Sequence, residues 1–237
     1  MLDIEVIAQP AQAEDRPPVE GFTGWWDASN AGSIQGGLGD RVATWRDGSG
    51  YGRHLNSPTD ATRPQTGSWN QNGRNVLWTH GRTAWMQGPI AWTAQPWVMC
   101  LVGSNTETDA SQRTFVAGYD GITGSEWGRV YKPGSRVITM YGSAGLASSR
   151  TWETRRPRVV IATFYGASSE LRVDGKYANV GNVGAPGTAP NQTVFGLAQA
   201  NEPWHGWIGE LLYYNRLLTT SELQRTESYL TRKWGIA

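Results

Sequence analysis

Cysteine is almost absent from this chain: Cys100 stands alone, so no intrachain disulfide can form. It lies in the apolar run Trp97-Val98-Met99-Cys100-Leu101-Val102, where a thiol behaves as a small buried hydrophobe and not as a nucleophile. Long apolar runs are missing too, since no stretch approaches the ~18 uninterrupted residues of a membrane helix. Met1–Ile7 has neither the basic nor the apolar segment of a secretory signal, so the protein is expected to stay where it is made unless a precursor was trimmed. Neither sign of charge dominates, with 21 Lys and Arg against 20 Asp and Glu. A nucleic-acid binder normally shows a basic excess or a strong cluster. The one dense cluster, Arg155, Arg156 and Arg158, is broken by Pro157 and leads into an apolar stretch. A solvated strand edge explains it, with a phosphate site as the alternative. Nucleic acid and membrane are therefore not expected as partners.

What is present is a pattern of short strands between turns. The 30 glycines and 12 prolines punctuate the chain without a fixed period. Strand signals fall at Arg41–Trp45, Pro96–Val102, Arg113–Ala117, Arg136–Tyr141, Arg158–Phe164 and Thr193–Leu197. The clearest hairpin runs from Glu170 to Val180 around Asp174-Gly175, a pair that supplies the two positive φ angles of a type I′ turn. One segment reads as a helix, about Thr220 to Trp234. Thr219 and Glu222 form a capping box there, Leu223, Thr226, Leu230 and Trp234 recur at helical spacing, and Gly235 suits a left-handed cap. Many strands closed by a single helix predict an all-β, two-sheet antiparallel sandwich. Residues 1–18 stand apart as an extended arm, with the domain running from 19 to 237. Leu2, Ile4 and Val6 alternate with Asp3 and Glu5, before a Pro-containing tether. Leu2–Ile7 reads equally well as the sandwich's first strand.

Four segments carry a family resemblance: Trp26-Asp27-Ala28-Ser29; the loop Trp45-Arg46-Asp47-Gly48-Ser49-Gly50-Tyr51-Gly52-Arg53-His54 with Arg63-Pro64 after it; the hairpin Leu171–Lys176; and Trp207 to Leu223. Their order and spacing resemble the concanavalin A-like lectin/glucanase superfamily, in particular laminin-G-like jelly-roll domains of bacteriophage and bacterial surface proteins. The resemblance spans residues 25 to 235, with no family motif at about 65–155 and none in the arm. It implies a jelly roll with a C-terminal helix. Asp27 and Asp47 are read as turn caps in preference to calcium ligands, because calcium needs six or more oxygens and no acidic cluster surrounds them. No cofactor is expected.

The superfamily's enzymes need paired carboxylates across one bond. Asp3 and Glu5 have strand spacing but lie in the arm, and Glu107 and Asp109 sit in a polar turn-like run. His54, His80 and His205 lack metal-ligand spacing, and no Gly-x-Ser-x-Gly elbow is present. A non-enzymatic protein is therefore expected. The 13 tryptophans divide by context. Trp26, Trp45, Trp78, Trp97 and Trp207 occupy strand-like positions and read as core, whereas Trp69, Trp127 and Trp204 lie among loop residues and are the candidate ligand or partner contacts.

Two functional readings follow. One is a bacteriophage virion surface protein (capsid decoration, minor capsid or tail-associated), assembled in the host cytoplasm. Its arm residues Leu2, Ile4 and Val6 would add a strand to a neighbouring capsid or tail subunit. The other is a carbohydrate-binding module or adhesin, compatible with the first and with homo-oligomer formation. A glycoside hydrolase lacks the acid pair.

Overall fold

The computed structural model describes residues 15–36, 41–79, 84–92, 94–119, 126–185, 189–197 and 202–236. The arm residues Leu2, Ile4 and Val6 lie outside this set, as does His80. Two large antiparallel sheets face each other. The seven-stranded sheet runs Gly24–Asp27, Gly206–Tyr214, Trp97–Asn105, Arg158–Phe164, Ser169–Val173 and Lys176–Gly181, with Leu77–Trp78 also pairing on Gly206–Tyr214. The nine-stranded sheet runs Gly145–Thr151, Val137–Tyr141, Glu126–Lys132, Arg113–Tyr119, Asn191–Val194, Met86–Pro89, Leu55–Asn56, Thr44–Trp45 and Ile34–Gln35.

The apolar runs explain how the layers stack. Successive side chains of a strand point to opposite faces, and three central strands of the seven-stranded sheet are apolar at both parities. Trp97, Met99 and Leu101 enter the core between the sheets, with Val160, Ala162, Phe164, Leu211 and Tyr213. Val98, Cys100, Val102, Val159, Ile161 and Leu212 point the other way, into a second core beneath the helix. Cys100 is wholly buried there, and burial pushes its thiol far above its ordinary value. The helix Thr220–Trp234 closes that side with Leu223, Tyr229, Leu230 and Trp234.

Its ends match their sequence signals. Glu222 N donates to Thr219 Oγ1 at 3.3 Å, Thr219 N donates to Glu222 Oε2 at 2.8 Å, and Gly235 adopts φ 60°. The Asp174-Gly175 turn likewise has φ 52° and 72°. Strand limits moved where the backbone turns left-handed. Arg136 has φ 64°, so its strand begins at Val137, and Phe195 at φ 68° splits the expected 193–197 run. Only Thr44–Trp45 of the 41–45 run is strand.

Charge is sealed under the helix as well. Lys233 Nζ donates to Asp27 Oδ2 at 2.7 Å and lies 2.9 Å from Glu210 Oε2, and all three residues are buried. Tyr229 Oη and the Trp25 and Trp234 indole N–H groups also donate to Glu210, at 2.8, 2.8 and 2.9 Å. Burial first, and then the charge of Asp27, raise the Glu210 pKa, while Lys233 opposes them. A buried charge survives only when paired and hydrogen-bonded, and here the protein fills the coordination itself.

Candidate functional site

Among the described residues no α-helix packs over the outer face of the second sheet, and strand register shows what that face carries. Gln35, Thr44, Asn56, Gln87, Thr193 and Ala117 pair in one row across six strands. Their neighbours Ile34, Trp45, Leu55, Met86, Val194 and Val116 form the core-facing row. Further along, Arg129 pairs with Tyr141, and Tyr131 pairs with both Thr139 and Thr114. The outer face is thus hydroxyl- and amide-rich, with two phenol rings.

Arg129 is fixed among those groups. Its guanidinium carbon lies 3.8 Å from the Tyr131 ring centroid and 5.6 Å from that of Tyr141. It donates to Glu202 Oε2 at 3.0 Å, which also accepts from Thr114 Oγ1 at 2.6 Å, while Gln112 Nε2 donates to Glu202 Oε1. Glu202 arrives on the short Glu202–Pro203 strand. Next to this group, Asp109 accepts from Lys132 Nζ at 3.0 Å and Arg113 at 2.5 Å. Partial burial works upward on Asp109, but hydrogen bonds from Lys132, Ser111 and Arg113 outweigh it and hold the pKa at about 2. Burial and then the Arg113 charge lower His205, leaving its imidazole neutral at pH 7, with Nδ1 3.7 Å from Glu107 Oε1.

A general acid needs a carboxyl whose pKa is raised toward the working pH. Asp109 is shifted the other way. Among the described residues no group of three or more His, Cys, Asp or Glu side chains could hold a metal ion. Both candidate calcium ligands are occupied by the protein. Asp47 accepts from the backbone N–H groups of Trp25, Ser49 and Arg53 at 3.0, 2.8 and 3.0 Å and from Ser49 Oγ at 2.7 Å. Asp27 caps Ser29 and pairs with Lys233.

No protein-family model matches the chain, and no curated protein matches it in sequence. Solved structures do match. A Trypanosoma rangeli sialidase in complex with the inhibitor DANA superposes with a TM-score of 0.65 at 16% identity, covering 89% of this chain and 33% of its own. Domain 4 of AbnA, a GH43 extracellular arabinanase from Geobacillus stearothermophilus, in complex with arabinotriose, gives a TM-score of 0.60 at 11% identity, covering 87% of this chain and 98% of its own. The binding domain of Paraclostridial Mosquitocidal Protein 1 gives 0.67 at 9% identity, covering 91% and 55%. What is shared is a two-sheet β-sandwich. The chain spans about a third of the length of the sialidases it matches.

Within that sandwich the three candidate tryptophans part company. Trp69 is 38% exposed and stacks on Trp78 with ring centroids 4.8 Å apart. Trp78, expected in the core, is only half-buried and packs against the edge of the core beneath the helix. Trp204 corrects its expectation: it is fully buried, 4.7 Å from Phe115 and 4.9 Å from Trp152 between ring centroids. The Glu202–Pro203 strand pairs with nearby Gly196–Leu197, and the indole that follows is enclosed by Phe115 and Trp152, which are distant in sequence and so not revealed by the loop-like composition. Trp127 pairs through its backbone with Gly118, and its side chain lies outside the described set. Sequence reading passed over Arg129, Tyr131, Tyr141 and Glu202. Alternation on either side of the bulge at 127–130 was the available signal, and Gly128 at φ 61° interrupts it.

Proposed function

We propose that this sandwich is a carbohydrate-binding domain whose contact surface is the outer face of the nine-stranded sheet. The observation that carries the reading is the cluster of Tyr131 and Tyr141 around Arg129, set beside hydroxyl and amide side chains with no α-helix above it among the described residues. Phenol rings offer an apolar face with a polar edge, and Thr44, Asn56 and Gln87 offer donors and acceptors of the kind that pair with ring hydroxyls. The similar solved structures support this choice of ligand class, since one is a complex with arabinotriose and another a complex with sialic acid. The reading assigns no catalysis to this chain.

A glycan array with the intact chain, followed by calorimetric titration of any hit, tests the proposal. Arabinan oligosaccharides and sialosides are the first probes. Tyr141→Ala should weaken binding about tenfold, the value of one stacking contact of roughly 1.4 kcal/mol. Absence of binding by wild type across the array would end the reading. Trp127→Ala belongs in the same series, and Trp69→Ala tests a separate proposed contact, since Trp69 stacks on Trp78 of the seven-stranded sheet.

A virion surface role is the finer proposal, resting on the laminin-G-like resemblance and on the alternation of Leu2, Ile4 and Val6. Deleting residues 1–18 should abolish incorporation into particles while the sandwich still folds. Retained incorporation would remove the arm from the proposal.

A further inference from the structure

A second polar site lies where the edge strands of the two sheets come together. Gly145–Thr151 is the outer strand of one sheet and Lys176–Gly181 of the other. Between them the 152–157 connection crosses the end of the sandwich, and a recess of about 60 Å³ opens, lined by Arg150, Arg156, Arg158, Asp174 and Lys176. One water needs ~10–15 Å³ measured this way, so the recess has room for about four waters or one tetrahedral oxyanion.

Charge in the recess is unbalanced. Arg158, 1% exposed, is tied to Asp174 and to Glu153 Oε1 at 2.8 Å, and Arg156 shares the same Glu153 through Oε2 at 2.9 Å. Asp174 is itself held, accepting from Val159 N at 3.0 Å. Four cations therefore meet two carboxylates. The Arg150 guanidinium and the Lys176 ammonium have no hydrogen bond or ion pair among the described residues, and the buried Arg158 Nε has no acceptor. Charged edge strands that discourage sheet-to-sheet pairing account for Arg150 and Lys176 singly. They do not account for a recess built around a buried arginine whose position is locked by two carboxylates.

We infer that this recess is an oxyanion site that takes a sulfate or phosphate group, with Arg158 as its fixed floor and Arg150 and Lys176 as the closing cations. Guanidinium forks match tetrahedral oxyanions through paired N–H donors, and hydrogen bonds between ionised partners are the strong ones. The site is separate from the outer-face cluster, so it stands or falls independently of glycan binding there.

Titration of the intact, isotope-labelled chain by NMR tests it, with sodium sulfate compared to sodium chloride at matched ionic strength and dextran sulfate compared to dextran. The expected result is saturable movement of the Gly175 and Lys176 amides with a sulfate-bearing probe, and binding about tenfold weaker in the Arg150→Gln/Lys176→Gln variant. Both positions are exposed and unpaired, so that variant keeps the buried ion pairs. Saturation by free sulfate assigns a free ion, and saturation by dextran sulfate alone assigns an ester carried on a polymer. No saturation with either probe, or equal affinity in wild type and variant, would overturn the inference.

Discussion

The two outer faces of the sandwich carry charge in opposite ways. On the seven-stranded sheet, Asp27, Glu210 and Lys233 are sealed under the helix, with Tyr229, Trp25 and Trp234 supplying further donors. On the nine-stranded sheet, Arg129 and Glu202 are equally well partnered, yet they sit beside half-buried phenol rings and a row of polar side chains with no α-helix above them among the described residues. The first arrangement is what a protein does to keep charges it has buried; the second is also largely buried, and only the flanking phenol rings are half-exposed. A polar cluster is therefore informative about function according to what covers it, and hardly at all according to its composition.

The sharpest way to break this contrast is Lys233→Met. It leaves Asp27 and Glu210 buried without their cation and should cost about 3–5 kcal/mol in urea unfolding. Adding Asp27→Asn and Glu210→Gln should recover much of that loss, and a single-variant cost under about 1 kcal/mol would mean the cluster is not sealed. Next, Trp204→Ala should lose about 3–5 kcal/mol as a core truncation, whereas Trp69→Ala should lose no more than roughly 1.5 kcal/mol, the contribution of one ring stack. Equal losses would contradict their placement.

Acid titration then sharpens the account of the ion pairs beside Glu202. The Asp109 pKa is held at about 2 in the folded state, below its unfolded value, so its contribution is present above the ordinary aspartate range and disappears as pH falls toward 2. Asp109→Asn should flatten that part of the curve of melting temperature against pH, and an unchanged curve would remove Asp109 from the explanation. The smallest effects belong to Thr44→Ala and Asn56→Ala, which should alter stability by no more than about 0.5 kcal/mol. Either costing several times that would show a structural role for the outer row, not one in contact.

Local signals were legible wherever the chemistry is local. The Thr219–Glu222 capping box, the Asp174-Gly175 turn and the Asp47 loop each involve residues within a few positions of one another, and all three form as their spacing implies. The sites were not legible. Glu202 reaches Arg129 across 73 positions, and Lys176 meets Arg150 only because two edge strands converge. Trp204 misled because its loop-like neighbours gave no sign of Phe115 and Trp152, which enclose its indole from 89 and 52 positions away.

Period-two alternation, turn residues and one amphipathic stripe were sufficient by themselves to determine an all-β sandwich closed by a terminal helix, since each acts over a handful of neighbouring residues. Which tryptophans are buried, which carboxylates are neutralised and which cations are left in excess were decided only by the packing of the sheets. Burial and charge balance depend on residues brought together from far apart in the chain, and strand order is what brings them there.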